Sequence, residues 1–132
     1  MKVTADTNIL VRAVIEDDLV QAKAAQRLLK QADEVALTTS SLCELAWVLT
    51  RLYKTPSAEI SRAIRTLIGA ENVMVDQLAV DAGLAMLDEG GDFADGVIAF
   101  DGRRLGGDEF VSFDKRAVWL LKKHGAQARL LA

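Results

Sequence analysis

Five acidic residues make up the pattern in this sequence most able to do chemistry: Asp6 in "KVTADTN", Glu44 in "SSLCELAW", Asp92 and Asp95 in "DFAD", and Asp114 in "VSFDK". Each also has a purely structural use. Asp6, Asp92 and Asp114 stand where helix N-caps are expected, and Ser41 with Glu44 spells an S-x-x-E capping box. Gathered together, the five would do something else. Carboxylates within a few ångströms of one another raise each other's pKa and destabilise a fold unless a cation lies between them. With oxygen donors alone that cation is Mg²⁺ or Mn²⁺ rather than zinc. Such an ion activates water and stabilises charge on a phosphate and its leaving oxygen. The one histidine, His124, and the one cysteine, Cys43, supply no zinc set. His124, beside Lys122 and Lys123, reads as a charge at a helix C-terminus, and Cys43 as a small core residue.

The elements that must position these acids follow from periodicity and punctuation. "KVTAD" reads as a buried strand, followed by helices over 8–15 and 19–32. "EVALTT" is a strand and 41–53 a helix. Another helix lies in "TPSAEISRAIRTLIGAE", with Thr55 as cap and Pro56 at the first helical position. After the strand "NVMVD", helical patterning covers 78–87, breaks at Gly90 and Gly91, and resumes in "DFADGVIAFDGRRLG". The strand "EFVSF", the helix "DKRAVWLLKKHG" and the strand "ARLL" complete the chain. This βα alternation predicts one α/β domain over residues 1–132, a three-layer α/β/α sandwich around a central, mainly parallel sheet. In a parallel sheet all strand carboxyl ends lie on one edge, so acids just after strands, or in the first turn of the next helix, converge there. Asp92 and Asp95, three apart on one helix, share a face.

The segments "ADTNIL", "SSLCELAWVL", "DFADGVIAF" and "VSFDK", in this order and spacing, resemble the PIN domain, most closely the VapC-type toxins of bacterial toxin–antitoxin modules. The resemblance implies a PIN-like fold and a metal-dependent ribonuclease. It makes Asp6, Glu44, Asp95 and Asp114 the catalytic and metal-binding quartet, with Asp92 an accessory metal ligand, and Mg²⁺ or Mn²⁺ the cofactor. Asn8 and Ser112 match the polar positions that orient the site. It also implies an RNA substrate, a cognate antitoxin and a homodimer. Gly96 stands where an alanine is usual, at a helix-propensity cost of about 1 kcal/mol.

Rival activities share some of these marks. A haloacid-dehalogenase-type phosphatase also begins with an aspartate after its first strand, but needs a second one two residues on, where this chain has Asn8. A receiver domain wants paired acids early and a late lysine. A metal-free PIN-like binding module is the non-enzymatic alternative.

The net charge of −3 means that RNA must be attracted by local cations, for which Arg12, Arg51, Lys54, Arg103, Arg104, Lys115 and Arg116 are candidates. The helix over 41–53 is apolar nearly all round, so Trp47, Leu49 and Tyr53 are expected in a dimer or antitoxin contact. Trp119 is expected to pack. No apolar run approaches the roughly 18 residues of a membrane span, and there is no secretory leader pattern. The sequence therefore predicts a soluble, membrane-free protein in the cytoplasm.

Overall fold

In a computed structural model, which describes residues 1–132, five strands and seven helices alternate along the chain, and they form two compact units, Met1–Asp76 and Gln77–Ala132. The α/β class with parallel pairing is the one expected. Hydrogen bonds join the strands as two ladders, one in each unit, where the sequence predicts one central sheet.

The first unit runs β1 (Lys2–Thr4), α1 (Thr7–Val14), α2 (Leu19–Gln31), β2 (Glu34–Ala36), α3 (Thr39–Arg51), α4 (Ser57–Ile68) and β3 (Val73–Met74). Its sheet is ordered β1-β2-β3 and is parallel throughout, with Val3 opposite Val35 and Val35 opposite Val73. A pair of helices bridges each strand to the next, as a parallel crossover requires. β1 is an edge strand. Lys2 and Thr4 are exposed and Val3 only half-buried, whereas Val35 on the central strand is fully buried. The expectation of a buried first strand is corrected accordingly. α1 packs on α2 and α3, and α3 on α4, around Leu10, Leu42, Leu45, Leu49, Ile60 and Ile64, all fully buried. Each such side chain stabilises the unit by about 1.5 to 3 kcal/mol.

Two expected helix starts move. α3 begins at Thr39, because the Thr38 hydroxyl accepts from the Ser41 backbone N–H at 3.1 Å and so takes the N-cap. The Ser41–Glu44 capping box therefore does not form, and Glu44 falls in the second turn. At α4 the cap is Pro56, extended at ψ 146°, rather than Thr55. The apolar character of α3 resolves into one buried stripe, Leu42, Leu45, Ala46 and Leu49, with Trp47 55% and Leu52 67% exposed. Leu49 is core, not an interface residue, and Cys43 is half-buried. Tyr53 is also half-buried and donates to Asp17 at 3.2 Å.

The second unit comprises α5 (Gln77–Asp88), α6 (Phe93–Arg104), β4 (Phe110–Ser112), α7 (Lys115–Lys123) and β5 (Ala128–Leu130), with β4 and β5 parallel. α5 and α6 pack so closely that glycine is required on both. A Cβ on Gly96 would overlap the Ala82 carbonyl oxygen and come within 2.8 Å of Met86 Cγ. One on Gly83 would meet the buried Phe93 ring at 2.6 Å. Gly96 thus does more than weaken its helix: it lets α6 lie against α5. Met86, Val118, Leu120, Leu121 and Ala128 form the core on the α7 side. His124 is the C-cap of α7, and Gly125 ends the helix at φ +85°. Trp119, expected to pack, is 62% exposed, with the Lys123 ammonium 5.4 Å from its ring centre. No helix is long and apolar enough to cross a membrane.

Candidate active site

Asp6 lies two residues beyond β1 and caps α1, its carboxylate accepting from the Thr7 backbone N–H at 2.9 Å. The Thr7 hydroxyl, on a residue only 8% exposed, donates to Glu44 Oε2 at 3.1 Å. One threonine therefore holds both acids of the first unit, from its backbone and from its side chain. Sequence reasoning nominated Asn8, which is exposed, and passed over Thr7. The only available signal was its place directly after Asp6, because threonine is common at helix starts for other reasons.

The second unit carries the other three acids. Asp92 caps α6, accepting from the Ala94 N–H at 2.8 Å, and Asp95 occupies the first turn of the same helix. Asp114 caps α7, its Oδ1 accepting from Arg116 N–H at 2.9 Å and Ala117 N–H at 3.1 Å. The Asp114 backbone N–H in turn donates to Ser112 Oγ at 3.0 Å, so Ser112 shapes the turn that presents Asp114. Burial, and after it the neighbouring Asp92 and Asp114 carboxylates, pushes the Asp95 carboxyl up to about 6. The shift reflects burial first and repulsion from the two neighbouring carboxylates second.

The capping uses expected of Asp6, Asp92 and Asp114 are all present. They do not exhaust these residues, since each cap engages one oxygen of a group with about four acceptor positions. A model of the PIN domain family matches residues 3–122. The chain belongs to the PIN family. The match runs through both units and takes in all five acids, and the family is one of mostly metal-dependent nucleases. No curated protein compared with the chain matches it.

As the side chains of this PIN domain stand, no three His, Cys, Asp or Glu residues are gathered into a group able to hold a metal ion. The chemistry of the donors nevertheless fits a hard divalent cation. All are carboxylate oxygens, and the raised Asp95 marks a spot where a positive charge would relieve repulsion. Among the candidate phosphate contacts, Arg12 is paired with Asp17 at 3.0 Å and Arg104 with Asp101 at 2.6 Å, while Arg116 donates to the Glu89 carbonyl. Arg51, Lys54, Arg103 and Lys115 are exposed.

The missing capping box gives Glu44 a clean test. Thr38 caps α3 and Glu44 is exposed, so Glu44→Gln should change stability by no more than about 0.5 kcal/mol in a denaturant titration. Nuclease activity should fall by at least about tenfold if the Glu44 charge serves the site. Full activity in the glutamine variant would remove Glu44 from the acidic set.

Proposed function

We propose that this PIN domain is a Mg²⁺- or Mn²⁺-dependent ribonuclease that hydrolyses RNA phosphodiester bonds and is the toxin of a toxin–antitoxin pair, with residues 1–132 as one functional domain. Family membership over residues 3–122 carries the reading, with acids standing at all four matching motifs. The raised Asp95 carboxyl adds support from within the second unit.

In this reading Asp6, Glu44, Asp95 and Asp114 are the metal-binding and catalytic acids, and Asp92 is accessory. A bound divalent ion supplies a nucleophilic water at neutral pH and charge stabilisation on the phosphate. The chain's own residues do the rest. Thr7 fixes the rotamers of Asp6 and Glu44 by donating to both, and Ser112 and the N-terminus of α7 fix Asp114. The exposed Arg51, Lys54, Arg103 and Lys115 offer phosphate contacts, which position RNA without reading its sequence.

The antitoxin has an apolar groove available in the first unit. It measures about 600 Å³ and is walled by Val14, Leu29, Leu37, Ala63 and Leu67, with Lys30, Glu59 and Arg62 also lining it. Trp47 and Leu52 are among the exposed apolar side chains that a homodimer contact would cover.

Purified protein, free of antitoxin, should cleave RNA with Mg²⁺ or Mn²⁺ present and stop on addition of EDTA. The rate should fall as salt screens the phosphate contacts. Asp6→Asn should lower cleavage at least a hundredfold and leave the melting curve within a few degrees of wild type. Asparagine caps a helix as well as aspartate does but withdraws the charge that binds metal. Cleavage that survives both EDTA and this substitution would point to a contaminant or another site.

A further inference from the structure

The turn that leads from α5 into α6 delivers Asp92 and Asp95 to the site, and its backbone is held by α7. Within the turn, Gly90 N–H donates to Leu87 O at 2.9 Å and Gly91 N–H to Met86 O at 2.8 Å. Gly90 has φ +80°, a conformation that favours glycine. The space where its side chain would stand is filled from outside. A Cβ there would lie 2.8 Å from Arg116 Nη2, and that same nitrogen donates to the Glu89 carbonyl at 3.2 Å. Further along α7, Lys123 Nζ reaches Glu89 Oε2 at 3.2 Å and His124 Nε2 lies 3.7 Å from Glu89 Oε1.

Arg116 also sits at the Asp114 end of its helix, its backbone N–H donating to the Asp114 carboxylate. One residue thus touches the Asp114 cap with its backbone and the turn before Asp92 with its guanidinium. We propose that Arg116 is a positioning residue that clamps the α5–α6 turn onto α7 and so sets the spacing of Asp114 from Asp92 and Asp95. This rests on the nuclease reading above, and it replaces the direct phosphate contact that the sequence suggests for Arg116.

The two roles predict opposite signs for metal affinity. Removing a cation beside carboxylates should by charge alone tighten binding of Mn²⁺. Losing the clamp should loosen it, because the acids no longer share one geometry. Calorimetry on the metal-free protein should therefore show Mn²⁺ binding about tenfold weaker in Arg116→Ala, with partial recovery in Arg116→Lys. Gly90→Ala, which pushes the guanidinium out from the other side, should weaken binding similarly. The double variant should lose much less than the two losses added together. Amide exchange at Gly91 should quicken in both single variants, which reports the clamp even if one variant folds poorly.

Mn²⁺ binding unchanged or tighter in Arg116→Ala, with a raised KM for RNA and a salt slope lower by about one, would overturn the proposal in favour of a phosphate contact. Should the wild type bind no Mn²⁺ at all, the nuclease reading is the one that fails. The Gly91 exchange rates would then decide the clamp: equal rates in wild type and Arg116→Ala reject it.

Discussion

Asp95→Asn should reduce RNA cleavage by at least about a thousandfold, a loss of about 4 kcal/mol in transition-state stabilisation, while making the metal-free protein more stable. The second effect follows from the direction of the Asp95 shift. Its carboxyl titrates near 6 in the folded chain instead of at 3.8, because burial and then Asp92 and Asp114 disfavour the charged form. The unfolded chain therefore gives up this proton more readily than the folded one, and stability attributable to Asp95 is fully present below about pH 4 and is lost as pH rises through about 6. The side chain is partly exposed, so solvent screening reduces the loss to about 1 to 2 kcal/mol. Thermal melts in EDTA should find the variant and wild type alike at about pH 4 and the variant several degrees higher at about pH 8. With Mn²⁺ in excess the order should reverse, because only the wild type gains from the ion. Two proteins that melt together at every pH, with and without metal, would show that Asp95 neither feels its neighbours nor serves a cation.

The second large effect concerns one glycine. Gly96→Ala adds a Cβ that overlaps a backbone carbonyl of α5, which no rotamer change can move aside. α5 and α6 would have to separate, at a cost of about 1 to 3 kcal/mol, more than the roughly 1 kcal/mol that alanine gains in helix propensity. The melting temperature should fall by several degrees. Gly102 lies on the same helix with nothing near its missing side chain. The same substitution there should raise the melting temperature. Equal signs at the two positions would mean that the close approach of the helices does not govern stability.

The contrast between those glycines also marks what was legible in the sequence. Propensity treats Gly96 and Gly102 alike, and only the neighbouring helix distinguishes them. Element type was legible because periodicity is local: all seven helices and five strands fall where apolar spacing placed them, with shifts of a few residues at their ends. The start of α3 moved because Thr38 and Ser41 both offer capping hydroxyls, and the choice between them depends on where the preceding strand releases the chain. The capping acids Asp6, Asp92 and Asp114 were legible from the strand or break before each helix. Thr7 was not, since its value lies in a hydrogen bond to Glu44, 37 residues away. The separation of the strands into two ladders was likewise hidden, because strands of two or three residues carry no signal about their partners.

The caps carry one more consequence. Asp6, Asp92 and Asp114 each lie at the amino end of a helix, where unpaired N–H groups amount to about half a positive charge. Each cap fixes one oxygen of its carboxylate against the first turn of a helix, so the three acids are oriented by the backbone itself. The same helix ends repel any cation the acids take up. In the proposed nuclease that repulsion would lower the affinity for a divalent ion, and loading would follow its free concentration in the surroundings. Activity would then rise and fall with the ion supply, a sensitivity that a tightly buried metal would erase.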